Sequence, residues 1–283
     1  MIEIPILGAL ALATGTILQK LMLKKKKINI KLYHVLEFLA IVIVMLPFIY
    51  FFWKLDAEAL QLKNILIFGA VILFSIIANL FTYYSMKWEK VSNLEPAKIL
   101  EPLFVILLAI LFSLFFENLY ERNLKIIIPA IIAAGALVVT HIQKHHLAFN
   151  KYFIAAILGS FFFALELVLS RLILDFYSPM TFYFMRAAAV LLFAFLIFRP
   201  SFKKVDKQTK VYVFLTGLVW VIYRVIIYYG YLNIGVIFTT LIIMLGPIFI
   251  YLFASIFLKE KIKLKNIIAA MIIVACILYA TFA

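Results

Sequence analysis

The sequence predicts an all-α integral membrane protein with ten transmembrane helices, arranged as two inverted repeats of five helices. Three observations lead to this fold class. Apolar residues make up 67% of the 283 residues and charged residues 14%, whereas a soluble chain is about 45–50% apolar and about a quarter charged. Long apolar runs recur ten times along the chain, separated by short loops. A stretch of the first half also reappears in the second half, at an offset of 145 residues (Tyr83 to Tyr228).

Each apolar run is long enough to cross a bilayer, because a helix spans the hydrocarbon core with about 20 residues. Helices are expected because a spanning segment must satisfy its own backbone hydrogen bonds, and the alternating pattern of a barrel strand is absent. No globular domain is expected in the short loops. The predicted spans are 3–23, 31–53, 63–87, 95–116, 124–141, 152–173, 179–198, 209–231, 235–258 and 264–282.

The net charge of +14 is distributed as membrane topology requires rather than as a nucleic-acid surface. Lysine and arginine are concentrated in the odd-numbered loops, as in the Lys24–Lys27 run, and are sparse in the even-numbered loops. The chain is therefore expected to be a multi-pass protein of the plasma membrane. The positive-inside rule predicts that its odd-numbered loops lie in the cytoplasm and that both termini lie outside the cell. The single cysteine, Cys276, excludes an internal disulfide.

The internal duplication predicts two repeats, over residues 1–145 and 146–283. At the same offset Pro102 matches Pro247 and Phe112 matches Phe257. Because five is an odd number of spans, the second repeat enters the membrane from the opposite face. Inverted repeats of this kind are typical of transporters that work by alternating access.

Ionisable and polar side chains lie inside several predicted spans, where a charge costs about 2.5–3.5 kcal/mol on insertion scales. They form two predicted layers, one about 10 Å from the outer ends of the second-half spans and one at a similar depth from the inner ends of the first-half spans. We expect them to flank a central aqueous cavity, although ion pairs that only hold the bundle together are the alternative. The candidates for substrate binding or gating are Glu37, Asn79, Tyr83, Lys98, Glu101, Glu166, Arg186, Arg224 and Tyr228.

Two matched prolines, Pro102 and Pro247, are predicted hinges, because proline frees a backbone carbonyl one turn earlier. A kink used only for packing is the alternative. His141, His145 and His146 are too few and too loosely framed for a closed zinc site, so no metal site is predicted. No cofactor is expected, and the absence of a Gly-x-x-x-x-Gly-Lys loop argues against ATP hydrolysis by this chain.

The order of these motifs resembles the drug/metabolite transporter superfamily, and within it the EamA-type permeases. That pattern has a proline early in the fourth span of each half, a glutamate at its end, and a glycine-bearing fifth span. The matching positions are Pro102, Glu117 and Gly135 in the first half, and Pro247, Glu260 and the run Ala269–Ala275 in the second half. The second half lacks the glycine, and Glu37 stands where such proteins commonly carry an arginine, which Arg186 keeps in the second half.

The resemblance implies a secondary transporter, and not an enzyme, that moves small polar metabolites such as amino acids or related compounds, in the direction of export. Its expected partners are a small-molecule substrate, the lipid bilayer and a proton or counter-substrate, in a monomer or homodimer. A flippase for a lipid-linked headgroup and a non-transporting membrane assembly subunit are the alternatives. A membrane enzyme is disfavoured because the chain lacks a paired catalytic carboxylate motif or His-Glu-x-x-His.

Overall fold

The computed structural model describes residues 3–25, 28–89, 94, 97–116, 119–141, 150–202, 205–258 and 264–282. Within these ranges the chain is helical and forms no β-sheet. Short 3₁₀ turns at Ala57–Leu60 and Leu174–Phe176 lie between helices. The helices are α1 (Glu3–Lys24), α2 (Ile30–Phe52), α3 (Leu62–Trp88), α4 (Leu100–Ser113), α5 (Leu124–His141), α6 (Lys151–Arg171), α7 (Pro179–Phe198), α8 (Lys207–Asn233), α9 (Val236–Ile243), α10 (Leu245–Leu258) and α11 (Leu264–Phe282).

Six of these helices are long and apolar enough to cross a membrane by themselves, namely α1, α2, α3, α6, α7 and α8. Shorter apolar helical segments run through Leu100–Ser113, Leu124–Val139, Val236–Ile250 and Ile267–Phe282. Large apolar side chains such as Phe51 and Phe282 remain exposed on the outside of the bundle, where lipid rather than water is the favourable solvent. The chain is therefore a multi-pass, all-helical membrane protein.

The ninth predicted span, 235–258, is helical but carries one interruption. Helix α9 ends at Ile243 and α10 begins at Leu245, with Met244 in a turn between them. The helical pattern is interrupted in the same way at Ile99, immediately before α4. Each interruption lies three residues before a proline, Pro102 or Pro247. The proline has no N–H to bond the carbonyl four residues earlier, which accounts for both breaks.

Side-chain caps fix where four of the spanning helices begin. The side chains of Asn29, Asn150, Ser178 and Asp206 accept hydrogen bonds from backbone N–H groups in the first turns of α2, α6, α7 and α8. Such caps satisfy N–H groups that have no partner within the helix. The residue that precedes each of these helices therefore fixes the position at which the helix begins.

The main helix contacts join the two predicted repeats. Helix α3 packs along α6, α1 along α8, α2 along α7, and α5 along α11. Helix α4 also packs on α6, and α10 on α1. Each of these contacts takes one helix from residues 1–145 and one from residues 146–283, so the centre of the bundle lies between the two halves of the sequence.

Two contacts between the halves, α3 with α6 and α2 with α8, depend on glycine, because the helices approach too closely there for a larger residue. A Cβ at Gly159 of α6 would lie 2.7 Å from the hydroxyl oxygen of Thr82 on α3. A Cβ at Gly217 of α8 would lie 2.8 Å from the Cβ of Ala40 on α2. Close approach at small residues is a principal source of helix association in membranes, where lipid tails remove the hydrophobic drive between helices.

Replacing Gly159 by valine should therefore separate α3 from α6 and lower the free energy of unfolding by about 1–3 kcal/mol, the usual cost of overpacking. The measurement is denaturant unfolding of the purified protein in detergent, followed by tryptophan fluorescence. Gly69→Val is the matched control, because no atom lies within 4 Å of a Cβ built at Gly69. Equal losses of stability in the two variants would contradict the proposed close contact.

Candidate functional site

A cavity of about 140 Å³ lies at the centre of the bundle, between helices of both halves. Most of its wall surface is apolar, and many polar side chains also converge on it, as expected of a site for a polar small molecule. The polar side chains that line it are Thr16, Gln19, Glu37, Asn79, Thr82, Lys98, Glu101, Ser160, Tyr183, Arg186, Trp220, Tyr223, Arg224, Tyr231 and Thr240. Pro102 and Pro247 line it as well.

A buried cluster of one carboxylate and two guanidiniums stands at one side of this cavity. Glu166 of α6 is fully buried, and its Oε1 accepts a hydrogen bond from Arg186 Nη1 of α7. Its other oxygen, Oε2, lies 3.1 Å from Arg224 Nη1 of α8. Arg186 and Arg224 are themselves only 2% and 6% exposed. One carboxylate therefore holds two arginines, and the cluster carries one positive charge in excess.

The two guanidiniums are not fully hydrogen-bonded within the part of the chain that the structure describes. The Arg224 contact has the distance of an ion pair but not the angle of a hydrogen bond, since Arg224 Nη1 and Glu166 Oε2 both lack a hydrogen-bond partner there. Arg186 Nε is likewise buried without one. Buried donors without a partner are costly. The arginine cluster thus presents to the cavity an excess positive charge and N–H donors without a partner among the described residues, which an anionic group can occupy, while the carboxylate of Glu101 lines the same cavity.

Tyrosine side chains hold the arginine cluster in place. Tyr228 Oη donates to Glu166 Oε1 at 2.8 Å, and Arg186 Nη1 lies 2.8 Å from the same hydroxyl oxygen. The Arg186 guanidinium also lies over the ring of Tyr183, at 4.8 Å from its centroid. The guanidinium of Arg224 lies over Phe163 at 5.2 Å. Tyr228, predicted as a cavity side chain, supports the charged groups from behind the cavity wall.

A second buried carboxylate, Glu37 of α2, also lines the cavity and has only neutral hydrogen-bond partners. Its Oε1 accepts hydrogen bonds from Tyr33 Oη at 3.0 Å and Gln19 Nε2 at 3.3 Å. Its Oε2 accepts one from Tyr83 Oη of α3. Glu37 is 2% exposed. Like Tyr228, Tyr83 acts behind the cavity wall as the partner of a buried carboxylate.

The two clusters occupy equivalent positions in the two halves of the chain. Three residues of the Glu37 cluster correspond in the duplicated sequence to three residues of the arginine cluster, at offsets between 145 and 149 residues (Tyr83 to Tyr228, Glu37 to Arg186). The corresponding pairs are Gln19 with Glu166, Glu37 with Arg186, and Tyr83 with Tyr228. In both clusters the same three helix positions converge through side-chain hydrogen bonds. The Glu37 cluster has one acidic and no basic side chain, whereas the arginine cluster has one acidic and two basic side chains.

The remaining predicted candidates stand along the cavity wall. Glu101 of α4 is partly exposed there and has no hydrogen-bond or ion-pair partner among the described residues. Lys98, one turn earlier, lies with its Nζ 3.2 Å from Met86 Sδ. Asn79 donates to the backbone carbonyl of Ser75, its own helix, at 2.7 Å. Residues of both predicted polar layers therefore meet at one cavity.

Several cavity residues were not among the sequence candidates. Gln19 is the clearest omission, because it is a polar residue within an apolar first span and stands at the duplication partner of Glu166. Tyr183 lies one turn before Arg186, a spacing that places both on one helix face. Thr16 also lines the cavity. No signal in the sequence distinguishes it from other residues of the spans.

A separate contact ties the loop before α5 to the start of α9. Glu121 Oε1 accepts the backbone N–H groups of Ile237 and Phe238 at 2.9 and 3.1 Å. Burial raises the pKa of the Glu121 carboxyl, and these N–H groups act in the opposite direction. Gly235, at φ 101°, gives the carboxylate room, because a Cβ there would overlap it. The glutamates of the predicted family pattern, Glu117 and Glu260, lie outside the described residues, as do His145 and His146.

Glu166→Gln should remove the shared negative charge and leave two buried guanidiniums without a counter-charge. We expect the free energy of unfolding to fall by about 3–5 kcal/mol, the usual cost of breaking a buried pair on one side. Denaturant unfolding of the purified protein measures it. Asp175→Asn is the control, because Asp175 pairs with Arg171 but its side chain is 49% exposed, and such pairs contribute about 1 kcal/mol or less. A Glu166 effect as small as the control would contradict the role of this carboxylate.

Comparisons with known proteins agree with this architecture. One protein of known crystal structure superposes with a TM-score of 0.71 over 99% of this chain and 98% of its own, at 16% sequence identity, which shows a shared fold. No curated protein sequence matches this chain. Residues 150–282 match the profile of the EamA-like transporter family, whose members are transporters rather than enzymes. The predicted resemblance to the EamA-like transporters of the drug/metabolite transporter superfamily is confirmed over residues 150–282, the part of the chain that the family model matches.

Proposed function

We propose that this protein is a secondary carrier that exports small polar metabolites, such as amino acids or related compounds, across the plasma membrane by alternating access. The observation that supports it is the central cavity, where Glu37, Glu101, Arg186 and Arg224 converge from both halves of the chain. Ionisable groups at this depth are costly and mark substrate pathways in membrane proteins. A subunit that only holds an assembly together has no need of a polar cavity within its own bundle.

The arginine cluster favours substrates with a carboxylate or another compact anionic group. Glu166 neutralises one of its two guanidiniums, so one positive charge remains for the substrate. A guanidinium offers a planar, two-pronged set of donors that matches a carboxylate or phosphate. Glu101 faces the same cavity with no hydrogen-bond or ion-pair partner among the described residues, and we assign it to the substrate's amine.

For the mechanism we propose ten spans in two inverted repeats, residues 1–145 and 146–283. The helix contacts support a twofold relation, because α3 with α6 in one direction has its counterpart in α8 with α1. The helix breaks before Pro102 and Pro247 also occupy equivalent positions. We propose that these breaks act as hinges, so that exchange of the two repeat conformations opens the cavity to one face and then to the other.

From the charge bias of the loops we propose that both termini lie outside the cell. A protease site or a thiol tag added after Ala283 should therefore be modified by an impermeant reagent applied to intact cells. A tag inserted within residues 142–149 is the matched control and should react only after the cells are opened. Reaction of the C-terminal tag only in opened cells would contradict this orientation.

The test of the proposed function is mass spectrometry of the medium from cells that express this chain or Arg224→Leu at matched membrane levels. A metabolite should accumulate outside with the unmodified chain and fall by about tenfold or more with the variant, since a hydrogen bond to a charged group contributes about 1.5–3 kcal/mol. Arg224→Leu leaves Glu166 paired one-to-one with Arg186, so we expect the fold to survive.

Arg171→Leu is the control for this experiment. It is the same arginine-to-leucine substitution, but Arg171 pairs with Asp175 and is not among the residues that line the cavity. The Arg171 variant should export normally. An unchanged medium with the unmodified chain would contradict a small-metabolite exporter and direct attention to assays of lipid flipping. Equal losses with both arginine variants would contradict a role for Arg224 in substrate binding.

A further inference from the structure

We propose that Glu37 is the proton-coupling site of this carrier, which takes up a proton from the cavity at one membrane face and releases it at the other. This inference rests on the proposed function and deepens it, because it assigns one residue to the coupling. The driving reaction is a simple transfer: a proton leaves water, binds a Glu37 carboxylate oxygen, and returns to water after the repeats exchange conformation. No bond other than O–H forms or breaks.

The first ground is that Glu37 is a buried carboxylate with no counter-charge. No lysine, arginine or histidine nitrogen of the described residues lies within 4.0 Å of its oxygens. Its hydrogen-bond partners, Gln19, Tyr33 and Tyr83, are all neutral. A buried ionised carboxylate without a cation is strongly disfavoured, and the usual remedy is to bind a proton. Glu166, by contrast, has two guanidiniums beside it.

The second ground is that the partners of Glu37 accommodate either protonation state. A tyrosine hydroxyl both donates and accepts a hydrogen bond, and its hydrogen rotates to suit. When Oε2 is ionised, Tyr83 donates to it; when Oε2 carries a proton, it donates to the Tyr83 oxygen. Guanidinium cannot reverse in this way, because it has donors and no acceptor. The Glu37 cluster is therefore suited to gain and lose a proton without breaking its hydrogen-bond network.

The third ground is access. Glu37 lines the central cavity and is joined there by Thr16 and Gln19 of α1. A proton from water in the cavity therefore reaches the carboxylate without crossing lipid. Because both oxygens already accept hydrogen bonds from protein donors, a bulky ammonium would have to displace them, whereas a proton requires only the reversal of one hydroxyl.

Other titratable and charged groups on α2 and on the helices that pack against it have partners or positions that do not suit them to proton coupling. On α2 itself, Tyr33 hydrogen-bonds Glu37, and His34 is buried in ring contacts with Phe38 and Tyr83. On α1, the ammonium of Lys20 donates to backbone carbonyls of α3 and the residue after it. The facing groups on the remaining helices are Tyr83 of α3, Tyr183 and Arg186 of α7, and Trp220, Tyr223 and Arg224 of α8.

A direct test that needs no substrate is a pH titration of the full chain in lipid nanodiscs, followed by infrared difference spectroscopy of the carboxyl C=O stretch. The unmodified chain should show a protonated buried carboxyl band that disappears as the pH rises. Glu37→Gln should lose this band, whereas Glu101→Gln and His34→Gln should keep it. Persistence of the band in Glu37→Gln, or its absence from the unmodified chain, would overturn the assignment.

A second measurement uses proteoliposomes and the metabolite identified in the medium. Glu37→Gln should retain exchange of labelled for unlabelled metabolite but lose accumulation driven by a pH gradient, and Tyr83→Phe should weaken that accumulation with the fold intact. Gradient-driven accumulation by Glu37→Gln would overturn the proposal. If no metabolite is exported but the Glu37 band titrates as expected, the exporter proposal fails while proton binding at Glu37 stands, so the two failures are distinguishable.

Discussion

The fold depends on one carboxylate, Glu166, that lies between two arginines deep inside the bundle. Three helices supply the group: α6 carries the acid, and α7 and α8 carry Arg186 and Arg224. None of these charges can face lipid without a large cost, so the three helices must converge. The apolar surface then faces outward, and the space left between the converging side chains is the central cavity. The same requirement that holds the helices together therefore places charged groups at the central cavity, where we propose that substrate binds.

The two halves of the chain use the same positions for different electrostatic purposes. The second half neutralises its acid with arginine and keeps one positive charge for a ligand. The first half surrounds Glu37 with hydroxyl and amide donors and supplies no cation. A perfectly duplicated protein would carry identical clusters at both positions. Arg186 therefore lies in a cluster of opposite charges, whereas Glu37 has only neutral hydrogen-bond partners. The proton coupling that we propose depends on this difference.

The fold was largely predictable from the sequence, because span length, hydropathy and loop charge are local properties. The helices of α1–α3, α5–α8 and α11 lie close to the predicted spans. The break at Met244 was missed because its apolar surroundings resemble an unbroken span, and only Pro247 marks it. Several of the ionisable residues predicted from the sequence line the central cavity. Their partners, such as Gln19 with Glu37, were not predictable, since they depend on the packing of distant helices rather than on a local pattern.

Alternating access is the central claim, and cysteine accessibility of the cavity tests it most directly. Cys276→Ala removes the native thiol, and Thr16→Cys places a new thiol on the cavity wall. A membrane-impermeant maleimide is then applied from outside in intact cells and from inside in inverted vesicles. Our account predicts modification from both faces, each blocked when the transported metabolite is present in excess. Modification from one face only, unaffected by that metabolite, would contradict it.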